Sequence, residues 1–249
     1  MGAEQPATQP NTVIITAADL DSHGYYNITT LEAQGDIEIA SNLGLVRFRG
    51  SVVAKGGIRI SAGSSISAGE GISAGSSISA GSSISAGEGI SAGSGIFAGS
   101  SISAGEGISA GEGISAGWGI SAGEGISAGE GISAGEGISA GSSISAGEGI
   151  SAGEGISARE GISAGEGISA GSSISAGWGI SAGEGISAGS SISAGWGISC
   201  KTVLKVRLQV LAGASVRIMP TDQQQEIRCR RLEGGAIVAL GRLIESNPA

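Results

Sequence analysis

Isoleucine recurs at every sixth position from Ile60 to Ile198, in 24 units of the form Ile-Ser-Ala-Gly-x-Gly/Ser. Ile and Ala are two positions apart, so in an extended segment they share one face and the Ser between them points away. The following Gly-x-Gly/Ser predicts a tight corner, with glycine supplying a positive φ. Because six-residue spacing drifts around a 3.6-residue helix, the pattern indicates a strand and a corner per unit, as in a parallel β-helix.

The variable residue x carries a longer period. The 23 x positions from Ser64 to Trp196 hold 12 Glu, 8 Ser and 3 Trp. Residues three units apart are identical in 13 of 20 comparisons, against about 8 expected from the composition, and shorter separations show no excess. The repeat is therefore 18 residues, which predicts three sides per coil. Tandem duplication of an 18-residue ancestor would leave the same period.

These patterns predict an all-β fold: a three-sided parallel β-helix with eight coils over residues 60–200, Ile and Ala inside, Ser and x outside. The handedness of the helix stays open. The left-handed hexapeptide pattern has a small residue two positions before the aliphatic one, whereas here the small residue comes two positions after it. At ~4.8 Å per coil the shaft is roughly 38 Å long. The x residues fall into three columns: Ser64, Ser82, Ser100, Trp118, Glu136, Glu154, Ser172, Ser190; Glu70, Glu88, Glu106, Glu124, Ser142, Glu160, Trp178, Trp196; and Ser76, Ser94, Glu112, Glu130, Glu148, Glu166, Glu184.

The two flanks predict caps on this shaft. Residues 1–59 contain strand-like stretches at 12–16, 36–39, 46–49 and 52–53, which indicate an N-terminal cap of irregular coils. Residues 201–249 indicate a C-terminal cap. In it, apolar and basic or polar residues alternate over 204–210, which predicts one half-buried strand, and residues 216–218 predict another. Residues 227–231 and 236–240 suit either strands or a short helix.

Charge follows the same division. The net charge is −2 over residues 1–59, −11 over 60–200 and +4 over 201–249. The shaft is thus an acidic rod, which disfavours direct nucleic-acid binding by the shaft. The basic C-terminal cap could bind an acidic partner or the shaft of another copy. We therefore expect self-association through residues 201–249.

Composition excludes several other classes. Glycine is 49 of 249 residues, but with only 4 prolines and no three-residue period the chain is not collagen-like. An apolar content of 40% with strict periodicity argues against disorder. No run of 18 apolar residues predicts a membrane helix, and residues 1–10 lack the features of a signal peptide.

Candidate chemistry is sparse, and we expect neither an enzyme nor a cofactor or metal site. The chain has one histidine, His23, and two cysteines, Cys200 and Cys229. A single histidine outside the shaft cannot form a three-histidine zinc site, and it suits a surface loop better than a catalytic base. Cys200 replaces the Ala of the last repeat and is expected to be a small buried residue. Arg159, which replaces a corner glycine, is expected to pair with a neighbouring Glu.

The outward positions hold the candidate partner-binding residues. Neighbouring carboxylates within a Glu column repel each other. The columns either keep separate rods from associating or bind a basic groove of a partner protein. Exposed tryptophans either pack on the corner backbone or the cap, or form a binding hot spot. Phe97 replaces an outward Ser and could extend an apolar patch. The candidates are Trp118, Trp178, Trp196, Phe97, Glu112, Glu130, Glu148, Glu166 and Glu184.

The arrays Gly-Ile-Ser-Ala-Gly-Glu-Gly and Gly-Ile-Ser-Ala-Gly-Trp-Gly, preceded by Ile15–Ser22 and Gly35–Ile39, resemble phage and prophage repeat proteins with Ile-x-Ala-Gly-x-Gly arrays. The resemblance covers residues 13–205 and implies a cytoplasmic protein of a bacterial host, without an assigned activity. In architecture alone the shaft also resembles bactofilins, which are polymer-forming β-helices.

Two functions remain open from the sequence. The first is a rigid structural or interaction rod that presents corner side chains to a macromolecular partner or to itself. The alternative is a phage-type inhibitor that uses the Glu columns to imitate the charge of DNA at a host protein. Carboxylates in one column repeat every ~4.8 Å, which is closer than the phosphates along one strand of DNA. This difference weighs against a close imitation of the DNA backbone.

Overall fold

The computed structural model describes residues 12–213 and 226–246, and these form a parallel β-solenoid of three sheets with 12, 11 and 12 strands. From Ile37 onward the chain visits the sheets in a fixed order, which we call face 1, face 2 and face 3. The fold class predicted from the sequence is confirmed. The one helical element in the described residues is a 3-10 turn, Ala17–Asp19, whose first residues are capped by Thr16 and Asp19.

Face 1 contains twelve strands. They are β1 (Val13–Ile15), β3 (Ile37–Ile39), β6 (Ile58–Ile60), β9 (Ile78–Ala80), β12 (Ile96–Ala98), β15 (Ile114–Ala116), β18 (Ile132–Ala134), β21 (Ile150–Ala152), β24 (Ile168–Ala170), β27 (Ile186–Ala188), β30 (Val203–Val206) and β33 (Arg231–Glu233).

Face 2 contains eleven strands. They are β4 (Gly44–Phe48), β7 (Ser64–Ala68), β10 (Ile84–Ala86), β13 (Ile102–Ala104), β16 (Ile120–Ala122), β19 (Ile138–Ala140), β22 (Ile156–Ala158), β25 (Ile174–Ala176), β28 (Ser191–Ala194), β31 (Gln209–Ala212) and β34 (Ile237–Leu240).

Face 3 contains twelve strands. They are β2 (Leu31–Ala33), β5 (Val52–Ala54), β8 (Ile72–Ala74), β11 (Ile90–Ala92), β14 (Ile108–Ala110), β17 (Ile126–Ala128), β20 (Ile144–Ala146), β23 (Ile162–Ala164), β26 (Ile180–Ala182), β29 (Ile198–Cys200), β32 (Glu226–Cys229) and β35 (Arg242–Glu245).

The core is a set of aliphatic rows that run along the shaft axis. In the regular coils each residue lies beside the one 18 positions later, as Ile84 beside Ile102 and Ile102 beside Ile120. Every repeat isoleucine from Ile66 to Ile198 is at most 1% exposed, and the alanines two positions later are also buried. Stacking identical side chains in register favours close packing of the interior, because each Ile packs on the same shape above and below.

The first repeat departs from the predicted register. Ile58, not Ile60, lies beside Ile78, and Ile60 occupies the position that alanine holds in later coils, beside Ala80. As a result Ala62 is exposed and the x residue Ser64 is fully buried, the reverse of the prediction for this unit. The two extra residues form a wider corner in which Gly63 has a φ of 74°. Regular alternation starts at Ile66.

The corner glycines serve close packing rather than left-handed backbone. None of the glycines with positive φ in the described residues lies in a regular corner, so the expectation of positive φ there is wrong. A Cβ on the first corner glycine would lie 1.9 Å from the preceding coil's carbonyl oxygen, as at Gly129 above Gly111. At the second position, as at Gly131, the nearest atom would be 3.5 Å away. This explains why the second glycine alternates with serine and the first does not.

The C-terminal flank continues the same coils. The single strand predicted over residues 204–210 is instead two strands, β30 and β31, joined by a corner in which Leu208 is exposed. Leu204 and Val210 still stack 18 residues after Ile186 and Ile192. Residues 227–231 and 236–240 contain strands rather than helix. The strand predicted at 216–218 lies outside the described residues.

Candidate functional site

The three predicted columns form three edges of the shaft, apart from Ser64, which is buried in β7. From Glu88 to Trp196, the backbone N–H of each x residue donates a hydrogen bond to the carbonyl of the x residue 18 positions earlier, as Glu130 N to Glu112 O at 3.0 Å. The Ser64 column lies between faces 1 and 2, the Glu70 column between faces 2 and 3, and the Ser76 column between faces 3 and 1. Side chains on one edge therefore repeat at the coil spacing.

Trp178 and Trp196, the Trp pair, stack on the edge between faces 2 and 3. Their ring centroids are 5.5 Å apart and their planes differ by 8°. The backbone N–H of Trp196 donates to the backbone carbonyl of Trp178 at 2.7 Å. The backbone hydrogen bonds between successive corners therefore set the spacing of the two rings. Trp178 remains 49% exposed and Trp196 is half-buried. A half-exposed aromatic stack offers apolar area in a fixed orientation, which is what binding hot spots require.

The other two aromatic candidates lie elsewhere on the shaft. Trp118 is 60% exposed on the edge between faces 1 and 2, in a column between Ser100 and Glu136. Phe97 projects from face 1, and its ring covers Gly95, on the side of that face away from Trp118. Phe97, Trp118 and the Trp pair therefore lie on different parts of the shaft surface, and the extension of an apolar patch by Phe97 stays a prediction.

A groove of about 820 Å³ runs along face 3 beside the Trp pair. Its floor is the Gly-Ile backbone of successive coils, including Gly179 and Gly197, and the two tryptophans form part of its lining. Most of the floor carries no side chain, because glycine precedes three of the four inward-facing isoleucines that line the groove and Ser143 precedes the fourth. The groove adjoins a second one of about 610 Å³, with Ser143 and Ser145 lining both, that continues along the same face to Ser51.

Charged side chains line the C-terminal end of this groove. Arg228 and Glu226 of β32 form an ion pair there, with Nε to Oε2 at 2.6 Å. Arg228 lies beside Ser199 in the sheet. Sequence periodicity could not have found it, because the two residues are 29 positions apart instead of 18.

The acidic candidates form an unbroken row on the edge between faces 3 and 1. All five are exposed, and three of them line a groove of about 800 Å³ on face 1 that reaches Phe97. Within the described residues the ion pairs are Arg59–Glu38, Arg228–Glu226 and Arg231–Glu233, so no cation neutralises this row. The row is Glu112, Glu130, Glu148, Glu166 and Glu184.

Arg159 does not make the ion pair expected from the sequence, since no carboxylate lies within 4 Å of it in the described part of the chain. Its N–H donates to Ala140 O at 3.3 Å, against 3.1 Å for Gly177 to Ala158 in the next coil. The lengthened bond is consistent with a side chain at the position where a Cβ approaches the neighbouring carbonyl. Nearby Glu160 instead accepts a hydrogen bond from Ser143.

The remaining reactive groups are one histidine and two buried cysteines. His23 is exposed in a loop, where its backbone N–H donates to Asp21. Burial, with a smaller contribution from Cys229, raises the pKa of Cys200 to about 11, and burial also raises the pKa of Cys229. The described residues contain no group of three or more His, Cys, Asp or Glu placed to hold a metal. They also contain no helix long and apolar enough to cross a membrane.

Comparison with known protein families, with curated proteins and with solved structures gives no match.

Proposed function

We propose that this protein is a non-enzymatic rod that binds a protein partner through the Trp pair and the adjoining face-3 groove. The observation that carries the proposal is the stacked, half-exposed pair lining a groove with a mostly bare backbone floor. A partner side chain or strand that covers the two rings would remove apolar surface from water without first ordering a flexible loop. Arg228 and Glu226 would add polar specificity at one end.

The proposal includes the cellular location and the source of the partner. The resemblance of the repeat to phage and prophage arrays supports a place in the cytoplasm of a bacterial host, with a host protein as partner. The acidic shaft would repel nucleic acid. Nothing in the proposed binding requires a cofactor, a metal or a membrane.

The test is capture of partners from bacterial lysate at two salt concentrations. We expect the wild-type chain to retain its partner at both, because apolar contacts are weakly screened. The double variant Trp178→Ala, Trp196→Ala should lose the partner. Trp118→Ala removes the same residue type from another edge and serves as the matched control. Equal capture by the double variant and the control would contradict the proposal.

A second candidate function is inhibition of a host protein whose basic groove would bind the acidic shaft. The observation that favours it is the uninterrupted Glu row on the edge between faces 3 and 1, which has no ion-pair partners among the described residues. Such binding should fall steeply as salt rises, since it depends on long-range electrostatics. Replacing Glu112, Glu130, Glu148, Glu166 and Glu184 by Gln should abolish it. The control replaces Glu70, Glu88, Glu106 and Glu124 by Gln on the edge between faces 2 and 3. Capture that ignores both salt and these changes would exclude this candidate.

A further inference from the structure

The two cysteines of the chain lie next to each other in the core although they are 29 positions apart in the sequence. Cys200 ends β29 and Cys229 ends β32, and these strands are neighbours in face 3. Ile198 lies beside Ile227 and Ser199 beside Arg228, so the next inward position on each strand is a cysteine. Both side chains are buried.

Cys200 and Cys229 take two successive positions in the face-3 row that holds alanine in the preceding coils. One coil earlier the same position holds Ala182, which lies beside Cys200. The pair occurs where two coils are joined by a longer connection instead of the regular 18-residue spacing. Neighbouring parallel strands are ~4.8 Å apart, which lies within the Cα separation of about 4.4–6.8 Å that a disulfide spans.

We propose that Cys200 and Cys229 form a disulfide under oxidising conditions and that this bond fastens the C-terminal coils to the shaft. The oxidant is a low-molecular-weight disulfide such as oxidised glutathione. One cysteine thiolate attacks it, forms a mixed disulfide and releases one glutathione thiol. The second cysteine thiolate then attacks the protein sulfur of that mixed disulfide and releases the other glutathione thiol. Two cysteine protons are lost and the two electrons reduce glutathione disulfide.

The surroundings of the pair make this reaction conditional. Burial and the neighbouring thiol disfavour the thiolate of Cys200, and burial together with the charge of Glu245 disfavours that of Cys229. Attack therefore requires the end coils to open, since the thiolate is the nucleophile. In a reducing compartment the pair stays as two thiols, which matches their place in an otherwise apolar row.

The bond would also fix a feature of the surface. Cys229 directly follows Arg228 on β32, and Arg228 and Glu226 line the end of the face-3 groove. A bond to Cys200 would hold this strand against β29. The inference itself does not depend on the proposed partner binding, because it is tested on the isolated protein.

The experiment refolds the full chain from urea in buffers of defined reduced to oxidised glutathione ratio, followed by alkylation and mass spectrometry. Under oxidising conditions we expect a mass loss of two hydrogens, no alkylation, and a peptide that links Cys200 to Cys229. The thermal unfolding midpoint of the oxidised protein should exceed that of the reduced protein by about 4 °C or more, because the bond closes a long loop.

The variants Cys200→Ala and Cys229→Ala supply the controls, since alanine is the normal residue of this row. Each should fold and show the same midpoint under oxidising and reducing conditions. Two alkylated thiols after oxidative refolding, or glutathione attached separately to each cysteine, would overturn the proposal. A bond between two copies of the chain, or an internal bond with no rise in the midpoint, would also contradict it.

Discussion

At the scale of single residues, position in the coil decides the role of chemically identical side chains. Ser64 and Ser82 belong to the same column and the same motif. Ser64 is buried, where its hydroxyl donates to Ala40 O at 2.7 Å and accepts from Leu43 N–H at 3.0 Å. Ser82 is half-buried in a regular corner.

We predict that Ser64→Ala lowers the free energy of unfolding by about 1–3 kcal/mol, because it leaves the part-buried Ala40 carbonyl and Leu43 N–H without their Ser64 partner. Ser82→Ala should change it by less than about 0.5 kcal/mol. Urea denaturation of both variants measures the difference. Equal values for the two would show that the Ser64 hydrogen bonds contribute nothing to stability.

Cys200 predicts an alkaline loss of stability in the reduced protein. Its folded-state pKa is raised to about 11 from an ordinary value of 9.0. The folded chain holds the thiol proton more tightly than the unfolded chain, so this contribution is complete below pH 9. It declines between about pH 9 and pH 11 as the unfolded chain releases its proton. Urea midpoints across this range should fall less for Cys200→Ala than for the wild type.

At the scale of the strand and its corner, backbone contact sets which residues are allowed. The first corner glycine lies against the carbonyl of the coil before it, whereas the second has room for a serine side chain. The strands themselves differ little, since almost every one in the shaft reads Ile-Ser-Ala.

We predict that Gly129→Ala destabilises the protein by about 1–3 kcal/mol, because the new Cβ would lie 1.9 Å from Gly111 O and force the coils apart. Gly131→Ser, in the same corner, should be nearly neutral. Replacing glycine by alanine usually stabilises a protein by restricting the unfolded chain. The sign of the change in stability therefore shows whether the close contact between coils outweighs this gain. A more stable Gly129→Ala would refute the packing argument.

At the scale of the whole molecule, the uniform repeat makes the shaft modular. Each coil contacts mainly its two neighbours, so stability is a sum over coils and their interfaces. Deleting residues 117–134 removes 18 residues and restores the same register across the junction. Deleting residues 117–119 removes one corner and leaves a coil that cannot close.

We expect the 18-residue deletion to keep the β circular dichroism spectrum and cooperative unfolding, and to shorten the rod by ~4.8 Å in small-angle scattering. The three-residue deletion should lower the thermal midpoint sharply or prevent folding. Equal tolerance of both would mean that the coils are not held in a strict 18-residue register.

The last described coil also bears on self-association through residues 201–249. Its inward-facing Leu232, Val238 and Leu243 are only partly buried, and Ile237 is 70% exposed. At the other end, Tyr26 packs on Phe48 with ring centroids 5.4 Å apart, and Ile15 and Leu31 are buried. The two ends of the described shaft therefore differ in how well the core is covered.

We predict that the full chain self-associates through this last coil, and that Ile237→Lys shifts it towards the monomer in light scattering. Ile14→Lys, which changes a similarly exposed isoleucine at the other end, is the control. A wild-type chain that is monomeric at all concentrations would contradict the prediction.

The sequence by itself determined the solenoid, its three faces and the three columns, because an exact six-residue alternation and a period of 18 leave one way to bury every isoleucine and close each coil. It also placed Trp178 and Trp196 at neighbouring positions of one column, whereas the stacking of their rings is a finding of the structure. It misplaced Ile60 and Ser64, since the motif looks unchanged where two extra residues shift the register.

Only the tertiary structure decided which residues of the last coils meet. It placed Arg228 beside the Trp pair and brought Cys200 next to Cys229. These juxtapositions arise from contacts between coils whose separation departs from the repeat, where periodicity carries no information. The role of the first corner glycine could not be read from the sequence either. A positive φ and a close approach of two backbones both favour glycine, and only the distance between coils shows that close approach is the reason here.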